Sequence, residues 1–176
     1  KVQDLRYGEN WHQRAALYTN NQGIGLTAAR KLNGKEMSYN NMVDAETVLE
    51  MLIELSEYDG AACNQPLSVI VKHANPCGVA YGTSLEEAYR LSFATDPKSA
   101  FGGVIGFNKI VDVDTAKSIG DSFIEVLLAP GFEPEALRLL TEKKPNRRVL
   151  DIGDLLLRKN ELYQGYYRKA IFGGMM

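Results

Sequence analysis

The chain is poor in the residues that mark secreted scaffolds, metal centres and membrane spans. Its 176 residues include only two cysteines, Cys63 and Cys77, and two histidines, His12 and His73. Two cysteines cannot build a disulfide framework for a chain of this length. Cys63 lies in a polar stretch and Cys77 in a Gly/Pro-rich one, so both are read as free thiols of a reducing compartment. No apolar run approaches the roughly 20 residues of a membrane-spanning helix. The polar opening Lys1 to Gly8 does not read as a secretory signal. A cytoplasmic protein that meets no membrane is therefore expected. An excess of positive charge is also missing. The formal net charge is -2, against the basic balance of a nucleic-acid binder, while a local phosphate site stays open. The first residue is not Met, and Ile171 to Met176 reads as a strand cut short, so a piece of a longer protein is expected.

What is present is ordinary globular material, 45% hydrophobic and 24% charged, which excludes intrinsic disorder. A domain of about 150 residues buries roughly 68–70% of its unfolded surface, so a real core is expected. Residues 1–14 are polar and turn-like, and Asn33-Gly34 is a tight-turn dipeptide. From Asp44 to Glu57 the apolar spacing is helical, with Ala45, Leu49, Leu52 and Ser56 on one face, joined by Val48 and Leu55. Asp44 is placed to cap that helix. Leu67 to Val71 is short, β-branched and apolar, and predicts a buried strand. Ser84-Leu85-Glu86-Glu87 is a capping box that opens a helix to Thr95, where Asp96-Pro97 stops it. Further strands are predicted at 103–107, 123–128 and 148–152. Further helices are predicted from 112–114 to 120 and from Glu133-Pro134. Strand–helix alternation implies an α/β layered sheet with parallel neighbours. Ligands of such sheets gather outside the carboxyl ends of strands.

Lys72-His73 follow the strand at 67–71 directly. Histidine takes up a proton near neutral pH, and lysine stabilises developing negative charge. Asn75-Pro76 and Gly78 then predict a tight turn. A solvated lysine beside a capping histidine is an equal reading of the same residues. Zinc deaminases combine His-x-Glu with Pro-Cys-x-x-Cys. Pro76-Cys77 is present, but Ala80 replaces the second Cys and no Glu follows His73 at the required spacing, so no metal is expected. Arg6 offers the usual guanidinium fork for phosphate or carboxylate, and Tyr7 a ring face and a hydroxyl. Their stretch reads equally as an arm packed by its aromatics, with Trp11 as a candidate interface anchor. Gly102-Gly103 permits close backbone approach to a ligand or simply serves a turn. Ser38 to Asp44 places amides before a helix, as a cap or as ligand contacts.

Five stretches in order resemble one family. They are residues 5–13, 32–41, 72–80 (Lys-His-Ala-Asn-Pro-Cys-Gly-Val-Ala), 96–103 (Asp-Pro-Lys-Ser-Ala-Phe-Gly-Gly) and 128–132 (Leu-Ala-Pro-Gly-Phe). The family is the bifunctional purine-biosynthesis group that joins a 5-aminoimidazole-4-carboxamide ribonucleotide (AICAR) transformylase to an IMP cyclohydrolase. The resemblance implies formyl transfer from the co-substrate 10-formyltetrahydrofolate to the 5-amino group of AICAR. It implies His73 as proton acceptor and Lys72 as the group that stabilises charge. It implies Arg6, Tyr7, Asn41, Gly102 and Glu125 as substrate contacts. It further implies a three-layer α/β/α fold with a cytidine deaminase-like sheet, and homodimers in the full protein. Residues 1–176 correspond to the first half of the transformylase domain, with the cyclohydrolase and the second half expected to lie elsewhere. Trp11 departs from the family pattern, which has Pro there. A nucleotide-binding fragment without catalysis of its own is the alternative.

Overall fold

In a computed structural model, residues 1–19, 23–56, 58–59, 62–63, 65–163, 170–171 and 174–175 are described. In chain order they form β1 (Gln3–Leu5), β2 (Ala15–Leu17), a single 3-10 turn (Leu26–Ala28), β3 (Arg30–Asn33), α1 (Tyr39–Leu55), β4 (Tyr58–Asp59) and β5 (Ala62–Cys63). There follow β6 (Leu67–Lys72), β7 (Asn75–Tyr81), α2 (Leu85–Thr95), α3 (Pro97–Ala100), β8 (Val104–Phe107) and α4 (Val113–Ile119). The chain continues with β9 (Val126–Ala129), α5 (Pro134–Thr141), β10 (Arg148–Asp151), α6 (Lys159–Tyr163), β11 (Ala170–Ile171) and β12 (Gly174–Met175). The carboxyl end, expected as one strand, is two short antiparallel ones.

A six-stranded sheet in the order β3-β10-β9-β8-β6-β7 organises the molecule. Alternate side chains of each strand face opposite ways, and both faces are covered. Val69, Val71, Val104, Val126, Leu128 and Leu150 pack with α1, through Ala45, Val48, Leu49 and Leu52. Ile70, Ile105, Leu127 and Val149 pack on the other face with residues of α2, α4 and α5, among them Tyr89, Ile119 and Leu140. The result is an α/β/α sandwich. Full cover explains why the central strands read as continuous apolar runs.

Only β8, β9 and β10 run parallel. β6 pairs antiparallel with both β7 and β8, and β3 pairs antiparallel with β10. This corrects the expectation of parallel neighbours, and the reason is the β6–β7 hairpin. It reverses the chain, so the crossover through α2 and α3 sets β8 parallel to β7 and therefore antiparallel to β6, which lies between them. A second correction concerns residues 75–78. Asn75, Pro76 and Gly78 belong to β7, and the tight turn is His73-Ala74. Gly78 is needed for close packing: a Cβ there would collide with the Ser92 carbonyl of α2. The β6–β7 ladder carries a bulge, since Ile70 pairs with Gly78 but Val71 pairs with Pro76, leaving Cys77 as the extra residue.

α1 starts five residues earlier than Asp44. Ser38 is its N-cap, accepting from the Asn41 N–H at 3.1 Å, while Asn41 Oδ1 accepts from the Ser38 N–H at 3.2 Å. Asp44 is thus inside the helix and caps something else. Ser84 caps α2 as expected, but the Glu87 carboxylate accepts from the N–H and hydroxyl of Thr83 in place of closing the expected box; Asp112 caps α4. Asp96 ends α2 and caps α3, accepting from Ser99 at both its N–H and its hydroxyl. Among the described residues no helix is long and apolar enough to cross a membrane.

Candidate functional site

Because β6 runs against its neighbour, its carboxyl end meets the amino ends of β8, β9 and β10. Val71 pairs with Val104, Val104 with Val126, and Val126 with Arg148. Residues flanking this row therefore line up across the sheet: Lys72, Gly102-Gly103, Glu125 and Arg148. Of the strands in this row, β6 alone presents its carboxyl end.

Lys72 and His73 sit at the tip of the β6–β7 hairpin. His73 and Ala74 form its two-residue loop, and both are left-handed, with φ of 54° and 58°. That is the type I′ signature, which Asn-Gly satisfies best. For residues with a Cβ the left-handed region costs about 1–2 kcal/mol each, so the turn needs support. Asp44 supplies it from α1: its carboxylate accepts from the His73 N–H at 3.3 Å and from the Ala74 N–H at 2.7 Å. Asn75 Nδ2 donates to the His73 carbonyl at 2.8 Å. The His73 side chain is exposed. Lys72 Nζ donates to the Phe101 carbonyl at 2.7 Å, tying the hairpin to the loop before β8. Cys77 is free, and burial pushes its thiol up from the usual value; the side chain of Cys63 lies outside the described residues.

One helical turn before Asp44, Asn41 Nδ2 donates to Glu125 Oε2 at 2.8 Å. Arg148, with its side chain 6% exposed, approaches the same oxygen at 3.6 Å and donates from Nε to the Glu36 carbonyl. Burial pulls the Arg148 guanidinium below its usual value, and Glu125 opposes that pull. Arg6 is anchored through its backbone N–H to Met37, and Tyr7 through its carbonyl to the Tyr39 N–H. The Arg6 guanidinium lies 4.7 Å above the Tyr7 ring centre and donates to the Tyr7 hydroxyl at 3.1 Å. Trp11, by contrast, is 84% exposed, edge-on to His12 and not packed as an arm would be.

Gly102 has φ of 74°, and its N–H donates to the Phe123 carbonyl at 2.8 Å. The next carbonyl, Gly103, accepts from the Glu125 N–H at 3.1 Å. The exposed rings of Phe101 and Phe123 lie 5.0 Å apart beside this loop. A cavity of about 360 Å³ opens there, lined by Arg6, Lys35, Lys143, Lys144 and Arg148 with Glu125. Lys72 and His73 lie outside its wall, one turn of α1 further along. All seven expected residues thus connect: Lys72 to the Gly102 loop, that loop to Glu125, Glu125 to Asn41, and α1 from Asn41 to the His73 turn. Arg6 shares the cavity wall with Glu125 and stacks on Tyr7. Sequence reasoning missed Asp44 in this role, together with Arg148 and the two phenylalanines. Nothing local marks them; each works through a partner distant in sequence. Among the described residues no group of three or more His, Cys, Asp or Glu is placed to hold a metal ion.

The whole chain, residues 1–176, matches the family model described as AICARFT/IMPCHase bienzyme. The chain belongs to that family. Relatives in the AICARFT/IMPCHase family are similar over most of its length. A bifunctional purine biosynthesis protein PurH from Persephonella marina is 48% identical over 179 residues, covering 100% of this chain and 32% of the relative. One of the same name from Xanthomonas campestris pv. campestris is 52% identical over 155 residues, covering 86% of this chain and 28% of the relative. The chain spans about a third of the length of these curated relatives.

Proposed function

We propose that this chain is the first half of a folate-dependent AICAR transformylase domain within a bifunctional purine-biosynthesis protein, and that it supplies the proton acceptor and much of the nucleotide site. The observation that carries the reading is the single connected cluster at the β6–β8–β9–β10 row. It unites a histidine on a fixed turn, a lysine, an acid held by an amide and an arginine, and a cationic cavity.

The 5-amino group of AICAR is a weak nucleophile, because its lone pair delocalises into the ring and carboxamide. Holding it in place therefore contributes most. Arg6 and the lysines of the cavity suit the 5′-phosphate. Glu125 is oriented by Asn41 and suits a hydroxyl or amino donor of the nucleotide. The flat apolar faces of Phe101 and Phe123, beside Lys72, suit the heteroaromatic rings of both substrates. Bound 10-formyltetrahydrofolate supplies the formyl group. His73 removes the amine proton as the new C–N bond forms; the tetrahedral intermediate then collapses by breaking the bond from the formyl carbon to N10 of the folate, and that nitrogen takes up the proton as tetrahydrofolate leaves. Lys72, held by the Phe101 carbonyl, stabilises negative charge on the formyl oxygen.

The test is the full-length protein carrying His73→Ala. Formyl transfer should fall ~10²–10⁴-fold, with the cyclohydrolase activity of the same molecule unchanged as an internal control. A normal transfer rate would remove His73 from the mechanism.

A further inference from the structure

Asp44 is a buried acid that the transfer scheme leaves unused. It belongs to the stretch of α1 locked into the core by Ala45, Val48 and Leu49, so its carboxylate sits on a rigid element. Both oxygens are spent on consecutive backbone donors, the N–H groups of His73 and Ala74. On the other side, Asn75 binds the His73 carbonyl. The two peptide groups that flank the His73 Cα are therefore both fixed, and the Cα itself holds a φ that side-chain-bearing residues rarely adopt.

We propose that Asp44 is a positioning residue for His73: it holds the left-handed His73-Ala74 turn and thereby sets the direction in which the imidazole leaves the hairpin. The proposal rests on the reading of His73 as proton acceptor. A carboxylate can accept from both N–H groups at once. An isosteric amide cannot, because its NH2 would face one of them. With that support weakened, the turn relaxes toward less strained backbone angles and the Cα–Cβ direction of His73 swings. A displacement of the order of 1 Å in a reacting group costs ~10²-fold in rate.

The experiment uses the full-length protein as wild type, Asp44→Asn, Asp44→Asn with Ala74→Gly, and His73→Ala. Asp44→Asn should lower kcat for formyl transfer ~10- to 100-fold while the KM for AICAR moves less than ~2-fold, since the Asn41–Glu125 contacts remain. Adding Ala74→Gly should return most of the lost kcat, because glycine takes up the left-handed conformation unaided. A merely structural role would not show that rescue. A wild-type kcat in Asp44→Asn with an inactive His73→Ala would overturn the positioning role alone. A low kcat that Ala74→Gly leaves untouched would also overturn it. Full activity in His73→Ala would sink the underlying reading instead. If Asp44→Asn does not accumulate as folded protein, Asp44→Ala, which removes both acceptors in a residue suited to a helix interior, takes its place. It should show the same kcat loss at unchanged KM, and wild-type kcat there would overturn the proposal.

Discussion

Single side chains in this site carry two duties. Asn41 closes the capping box of α1 with its oxygen and orients Glu125 with its nitrogen. Asn41→Asp keeps an acceptor for the cap but sets a carboxylate against Glu125. The KM for AICAR should then rise at least ~10-fold, the scale of a lost hydrogen bond to a charged group, as steady-state kinetics of the full-length protein would show. Ala74 makes a simpler case. In the wild-type background Ala74→Gly should raise stability by about 0.5–1 kcal/mol, because the relieved left-handed strain exceeds the added chain entropy. A lower urea midpoint would contradict it. Residue-level features were legible in the sequence where their partners are local. The Ser84 cap satisfies the N–H of Glu87, three residues away. Asp44 looked like another such cap, but its partners lie 29 and 30 residues on, and no local pattern encodes that distance.

At the scale of elements, composition located the buried strands and misjudged the edges. β6, β8 and β9 announce themselves as short apolar runs. β7 contains Asn75, Pro76 and Gly78, each a turn signal taken alone, yet it is an edge strand where Pro is tolerated. Its glycine answers to the proximity of α2, which sequence does not display. The reversed direction of β6 was hidden for the same reason, since a hairpin read as a loop does not reverse a strand. Gly106 shows how an element transmits change. A Cβ there would strike Val48 and Leu52 of α1. Gly106→Ala should therefore displace the helix that carries Asn41 and Asp44, and cost about 1–3 kcal/mol. Formyl transfer should fall further than the lost stability accounts for; a variant as active as wild type at a temperature where it stays folded would refute this.

For the molecule as a whole, acid is the expected weakness. Hydrogen bonds from Thr83 and Ser99 hold Glu87 and Asp96 below the usual carboxylate range, and Arg138 and Arg158 do the same for Glu135 and Glu161. Groups with depressed folded values contribute stability that is complete above the unfolded carboxylate range. It is lost as pH falls through the folded values. The melting temperature should therefore drop on acidification through and below that range, and Asp96→Asn should flatten the drop. Function makes a separate demand at this scale. The His73 hairpin stands open to solvent, and a transfer site needs water excluded. The 176-residue chain by itself should bind AICAR in calorimetry yet transfer no formyl group, whereas the full-length protein should do both.

The bulge at Cys77 has a consequence beyond geometry. β7 ends the main sheet, and a bare strand edge is a template for edge-to-edge association between copies. Pro76 offers that template no N–H, and the extra residue twists the ladder out of register for an incoming strand. The hairpin that presents His73 is thereby its own guard against continuous-sheet aggregation. Straightening it, by deleting Cys77, should make the protein less soluble before it makes it less folded.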